Sequence, residues 1–362
     1  MARTVGVEEE YLLMRGASPE LAPTGDAVVE SASDTSDGQF EHELRREQVE
    51  LGTDPHESLA DLEADLRHRR AELAQAGERR GTRLAALAIS PLDDWAPAPT
   101  PEERYERMSE QFGIIARTEL SCGMHVHVSV DSPDEGVAVV DRLQPWLAVL
   151  AALSANSPYL HGEDTGYASY RRILWGQWPT AGPTEPFGDV AGYERARAAM
   201  VVSGAAIDDG MIYFDARLST RYPTVEVRVA DVCPDAADAV TIAALTRGLV
   251  STVAADWANG RDAVGVRHEL LRAASWRAAR YGIDGDLLDV VSTRLVPAFD
   301  LIADLVDLLT PALEDTGDAE RVRRGLDLIR RRGTGARLQR DLVAAGGSFD
   351  DVVDAVVART RN

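Results

Sequence analysis

Gly123–Val130 (Gly-Met-His-Val-His-Val-Ser-Val) constrains this chain more than any other stretch. Its strict alternation reads as a β-strand, because successive side chains of a strand point to opposite faces. Met124, Val126, Val128 and Val130 form an apolar face, and His125, His127 and Ser129 a polar one. Such a strand belongs in a sheet with a core behind it and a polar space in front. Two imidazoles on the polar side suit a metal ion or an anionic substrate; they also suit plain hydrogen bonding in a polar interior.

Other stretches repeat the pattern. Thr4–Met14 reads as a strand with Glu8 and Glu10 on one face and Val7, Glu9 and Tyr11 on the other. Carboxylates so paired repel unless a cation lies between them or water screens them, and hard cations such as Mg²⁺ take oxygen ligands. Glu41–Gly52 reads as one strand in which Gln48 and Glu50 alternate with Val49 and Leu51. Thr224–Asp231 places Val225, Val227 and Val229 behind and Glu226 and Arg228 in front. It pairs antiparallel with Met211–Arg217 through a turn at Leu218–Pro223.

Between these strands the spacing predicts helices and loops. Leu21–Gly38, rich in Ser, Asp and Gly, reads as loop. Helical spacing of Leu59, Leu62, Leu66 and Leu73 marks a helix over His56–Gly81, with Arg67–Arg70, Arg79 and Arg80 as solvated charges. Thr82–Ile89 reads as a buried strand and the proline-rich Ser90–Pro101 as loop. Glu102–Arg117 and Pro133–Asn156 read as helices. Asn156–Phe187 carries Tyr159, His161, Tyr167, Tyr170, Arg171, Arg172, Trp175 and Trp178 among glycines and prolines. It reads as a segment covering the substrate, the other reading being aromatic packing beneath a long loop. Helices at Ala236–Trp257, His268–Tyr281, Leu287–Leu313 and Ala319–Arg332, then a short pair, fill the last third. Ser275-Trp276-Arg277 is placed to reach the site from its edge.

Charge narrows the function classes. A net charge of −22 disfavours nucleic acid and anionic membranes as partners. No apolar run approaches bilayer-spanning length, and no signal-like segment precedes the first strand, so the expected location is cytoplasmic. All 38 basic residues are Arg, which excludes a Schiff-base lysine and a P-loop lysine. Phosphate must then be handled by Arg, metal ions or backbone amides. Cys122 and Cys233 lack metal-site spacing and read as buried, reduced thiols.

Strands with apolar backs interrupted by helices predict an α+β fold, an antiparallel sheet covered on one face by helices. Glu8, Glu10, Glu50, His125 and Glu226 then point into one polar basin, with Arg217 and Arg228 nearby. That donor set suits Mg²⁺ or Mn²⁺ better than structural zinc, and with interspersed Arg it suits nucleotide phosphates.

Val5-Gly6-Val7-Glu8-Glu9-Glu10, Gln48-Val49-Glu50-Leu51, Gly123-Met124-His125-Val126-His127 and Thr224-Val225-Glu226-Val227-Arg228 occur in the order seen in glutamate–cysteine ligases. The chain most resembles the bacterial type 2 branch, the YbdK-like carboxylate–amine ligases, from about Val5 to Gly282. The resemblance implies a glutamine-synthetase-like curved sheet forming a funnel, with 1–362 as a single catalytic domain. It implies ATP as co-substrate, Mg²⁺ on Glu8, Glu10, Glu50, His125 and Glu226, and Arg228 and Arg217 at phosphate. Gln48, His127, Arg171, Arg172 and Trp175 become substrate or ATP contacts, and a homodimer is expected. The implied reaction joins a carboxylate to an amine through an acyl phosphate, with glutamate–cysteine ligase activity that is weak in this branch. Two other classes compete: an amidohydrolase-type metal hydrolase suggested by His125-Val126-His127, and a non-catalytic nucleotide or metabolite sensor on the same scaffold.

Overall fold

The computed structural model describes residues 2–34, 38–92 and 99–361. The chain opens with β1 (Val5–Arg15), and α1 (Gly25–Ser33) then forms where the sequence suggested loop. Val28, Val29 and Ala32 are buried on one side of α1, an apolar stripe too short to stand out among Ser and Asp. The single strand expected at Glu41–Gly52 is instead two, β2 (Gln39–His42) and β3 (Gln48–Gly52). They fold back on each other with Glu41 opposite Glu50 and His42 opposite Val49.

Ser58 caps α2 (Leu59–Arg79) by accepting from the Asp61 backbone N–H, and β4 (Thr82–Ala85) follows. The helix expected at Glu102–Arg117 is broken into α3 (Glu103–Phe112) and α4 (Ile114–Thr118) by Gly113 at φ 59°. After β5 (Gly123–Ser129), the predicted helix at Pro133–Asn156 forms as α5 (Pro133–Leu143) and α6 (Leu147–Ser154), joined by a 3₁₀ turn around Pro145. The aromatic segment makes a small hairpin, β6 (Tyr159–Leu160) and β7 (Glu163–Asp164), and the one-turn α7 (Arg171–Trp175). Then come α8 (Val190–Val202), β8 (Ala216–Leu218) and β9 (Thr224–Asp231).

The last third is mostly helical: α9 (Ala236–Ala258), α10 (His268–Tyr281), α11 (Ala298–Asp315), α12 (Ala319–Arg332), α13 (Gly335–Ala344) and α14 (Phe349–Thr360). Between α10 and α11 the expected start of a helix at Leu287 is a hairpin, β10 (Asp286–Asp289) and β11 (Arg294–Pro297). Val290 and Val291 disfavour helix there, Thr293 turns with φ 56°, and Pro297 delays the helix to Ala298.

One antiparallel sheet holds the strands in the order β2-β3-β1-β5-β9-β8, with β4 also paired to β1. Its back face buries Val7, Val49, Leu51, Met124, Val126, Val128, Val225 and Val227 in one core with residues of α2, α5, α6 and α9. Two helical stretches, Pro133–Ser154 and Ala236–Ala258, are long and apolar enough to cross a membrane, contrary to the reading of the sequence. Their spanning windows are 78% and 83% buried inside the protein, so their apolar character serves this core.

Glu9 points into the same back layer and is fully buried. Arg70 of α2 meets it with two parallel hydrogen bonds, Nη2 to Oε1 at 2.6 Å and Nε to Oε2 at 2.8 Å. Arg70 also donates to the Cys233 and Pro234 carbonyls, and the Tyr11 hydroxyl donates a hydrogen bond to Glu9. Arg70 is therefore a buried partner rather than a solvated charge, turned under the sheet to neutralise Glu9; Arg69 is buried as well, but pairs with Asp65 at 2.7 Å and Asp54 at 2.9 Å. Cys122 and Cys233 are free and buried, and burial pushes both thiols up.

Candidate active site

The front of the sheet faces a cavity of about 680 Å³. Register builds its floor, because residues directly opposite in antiparallel strands carry side chains on the same face. Glu41, Glu50 and Glu10 form one row across β2, β3 and β1. Glu8 lies opposite His125, and His127, Glu226 and Arg217 form a further row across β5, β9 and β8. An irregularity between Met124 and Val126 puts an extra β9 residue opposite His125. Arg228 Nη1 reaches to 3.5 Å from His125 Nδ1 there.

The floor divides electrostatically. On the β5–β9 side, Glu8 Oε2 lies 3.3 Å from His125 Nδ1 and 3.2 Å from His127 Nε2. Burial opposes ionisation of Glu8, but the two imidazoles outweigh it and hold its carboxyl far below the usual range. Glu226 is buried too, yet Arg228 and Arg217 hold it well below that range. Arg217 grips it through Nε at 2.7 Å and Nη2 at 3.2 Å, and Arg228 donates to its Oε1. Burial and the Arg228 charge lower His125, whereas for His127 the Glu8 carboxylate overcomes burial and raises it.

On the β2–β3 side, Glu43 and Glu50 form no ion pair with the described residues. Glu10, Glu43 and Glu50 bring one oxygen each within 4.8 Å of one another. Burial, then the Glu8 and Glu43 charges, drive the Glu50 carboxyl well above its usual range. Burial and the neighbouring Glu10 push Glu43, hydrogen-bonded to Glu50, up to about 7. Such a cluster meets the electrostatic and oxygen-donor needs of a divalent cation. Glu8, His127 and Glu226 make a second trio with the same 4.8 Å limit.

The structure brings Glu8, Glu10, Gln48, Glu50, His125, His127, Trp175, Arg217, Glu226 and Arg228 to this one cavity. It puts His127, expected at substrate, within a metal-suited trio, and sets His125 between the trios, 3.7 Å from Glu10 and 3.9 Å from Glu226. Gln48 donates to the Ser121 carbonyl at 2.7 Å. Arg171 and Arg172 lie behind the lining. Arg171 donates to the Ala230 carbonyl at 3.2 Å and packs against Gly123, where a Cβ would strike its guanidinium. Arg172 bonds Asp215 and Ser275, each at 2.9 Å. The aromatic segment supplies a packed wall: Trp175 leans on Tyr213 at 4.7 Å, and Trp178 packs on Phe112 and Tyr213.

Glu43 escaped the sequence reading. In one continuous strand, alternation sets it on the face opposite Glu50; the turn between β2 and β3 breaks the alternation and returns it to the same cluster. Tyr213, Arg104 and Arg221 line the cavity as well, and none lies in a motif. Arg104 is held by Asp208 at 2.8 Å and Arg221 by Glu41 at 2.6 Å.

With this geometry in place, known proteins provide an independent comparison. The sequence profile of glutamate–cysteine ligase family 2 matches residues 4–358. A Streptomyces coelicolor protein named "Putative glutamate–cysteine ligase 2" is 48% identical over 99% of both chains. A Frankia alni protein, "Putative glutamate–cysteine ligase 2-2", is 48% identical over 99% of this chain and 97% of its own. Among solved structures, glutamate–cysteine ligase of Francisella tularensis in complex with AMP aligns with a TM-score of 0.67 at 14% identity. That alignment covers 100% of this chain and 89% of the other. The ligase PafA, solved with the prokaryotic ubiquitin-like protein Pup, aligns at 0.57 and 13% identity, over 99% and 72% of the respective chains. These two likenesses concern the fold: an antiparallel sheet with helices on one side and a helical C-terminal region. The chain belongs to glutamate–cysteine ligase family 2.

Proposed function

We propose that this protein is an ATP-dependent ligase that joins a small carboxylate to a small amine, with glutamate as the carboxylate, in the cytoplasm. The observation that carries the reading is the divided floor: an under-neutralised acid cluster beside an arginine-rich half, within one cavity. Family membership and relatives named as glutamate–cysteine ligases support it. Glu10, Glu43 and Glu50, and Glu8, His127 and Glu226, would hold Mg²⁺ or Mn²⁺. When bound, such ions offset the charge of ATP phosphates and let two anions approach.

Arg228 and Arg217 face the charge that builds up on the transferring phosphoryl group, each pre-set by Glu226. A carboxylate oxygen attacks the γ-phosphorus and ADP leaves; the amine nitrogen then attacks the acyl carbon and phosphate leaves with that oxygen. Trp175, Trp178 and Tyr213 wall the cavity on one side and limit water, which would otherwise hydrolyse the acyl phosphate. The test is isotopic. Glutamate labelled with ¹⁸O in its side-chain carboxylate transfers one label to the released phosphate during amide formation. Phosphate without label, formed while product accumulates, contradicts this route.

A further inference from the structure

Behind the aromatic wall lies a second cavity of about 510 Å³, in the range that small ligands occupy. Trp175 and Trp178 line both cavities, one from each side. The two differ in charge. Arg172, Arg272 and His268 line the second, and among the described residues no Asp or Glu does. Asp and Glu outnumber Arg 60 to 38 in the whole chain, so a lining without acids stands out, with Asp215 behind it as the partner of Arg172.

Arg172 is the strongest pointer to a ligand. Its side chain is only 6% exposed. Asp215 and Ser275 hold its Nη2, each at 2.9 Å, yet among the described residues the buried Nε–H finds no acceptor and the Asp215 Oδ1 no donor. A buried, unanswered donor on a guanidinium is costly unless an acceptor comes from elsewhere. His268 Nδ1, at the first turn of α10, is likewise buried without a partner. Arg272, one turn further along α10, is exposed and forms no ion pair with the described residues. Trp276 completes the apolar side, its indole N–H donated to Tyr167 at 3.3 Å.

We propose that this cavity binds a small oxyanion, a carboxylate or phosphate, carried on a flat or apolar body. Arg272 takes the oxyanion through its guanidinium fork, and Arg172 adds the single N–H at Nε. Trp175, Trp178 and Trp276 take the body. The site is separate from the acidic cavity and does not depend on the ligase reading, although the shared tryptophans would let an occupant shift the wall of the acidic cavity.

The test needs neither ATP nor metal. Three of the six tryptophans line this cavity, so intrinsic fluorescence, backed by calorimetry, follows its occupation. Benzoate, phenyl phosphate and inorganic phosphate are titrated into the intact chain and into Arg272→Glu and Glu226→Gln. Saturable binding of benzoate or phenyl phosphate is expected, weakened at least about tenfold by Arg272→Glu and unchanged by Glu226→Gln. Arg272 is exposed, so its replacement leaves the fold intact. The tighter of the two aromatic probes identifies the end group as carboxylate or phosphate. No saturable binding, equal binding to Arg272→Glu, or inorganic phosphate binding as tightly as its phenyl ester would overturn the proposal.

Discussion

Replacing Glu43 by Gln keeps the size of the side chain and removes one charge from the under-neutralised half of the site. Burial and Glu10 push the Glu43 carboxyl up to about 7, against 4.5 for the unperturbed group. Ionising it in the folded chain at pH 8 therefore costs about 3 kcal/mol relative to the unfolded chain. Coulomb's law gives the same size: two charges no more than 4.8 Å apart repel by about 3.5 kcal/mol or more at an effective dielectric of 20. Because the folded-state value is raised, wild type loses stability as pH rises through about 4.5 to 7, and Glu43→Gln does not. In EDTA the variant should gain on wild type across that window, by up to about 3 kcal/mol at pH 8. Mg²⁺ at a thousand times its Kd should reverse the order, since it then adds about 4.1 kcal/mol to the form that binds it. Urea unfolding followed by tryptophan fluorescence, at pH 4.5 and 8, with EDTA or Mg²⁺, measures all four corners. A variant no more stable than wild type at pH 8 in EDTA, or equal stabilisation of both by Mg²⁺, refutes the reasoning.

Glu9→Gln leaves Arg70 charged and buried and should cost about 3–5 kcal/mol in chemical denaturation, whereas Glu9→Leu with Arg70→Met should restore most of it. A double variant as unstable as the sum of both singles would show that the pair does not act as a unit. Arg228→Gln should lower kcat about 10²–10³-fold with little change in thermal midpoint, measured as ADP release; an unchanged kcat would remove Arg228 from the chemistry. Gly123→Ala should drive a methyl group into Arg171 and cost about 1–3 kcal/mol, read by thermal unfolding; a neutral effect would mean that Arg171 moves aside freely.

The sheet was legible because its strands carry opposite chemistry on alternate positions, and a period of two survives without knowledge of partners. The alternation at Glu8 and Glu10, at His125 and His127, and at Glu226 and Arg228 places those residues at the cavity. Where the backbone departs from that period the reading fails, as at the turn that carries Glu43. Arg70 reads as a surface charge in the sequence because helix periodicity does not reveal that a buried acid, Glu9, waits on a distant strand. Arg171 and Arg172 sit next to Trp175 in sequence, but a one-turn helix sends the arginines behind the wall and the indole into the cavity. The acid-free second cavity joins α7 to α10, about a hundred residues apart, and no local pattern records that meeting.

The central claim is ATP-dependent amide formation at the acidic cavity. Its most direct measurement is release of ADP and phosphate with Mg²⁺ and glutamate, over a panel of amines including cysteine, for wild type and Glu226→Gln. The account predicts turnover that requires both metal and amine and that Glu226→Gln abolishes. ATP left untouched across the panel, while an amide or ester is hydrolysed with zinc, would contradict it.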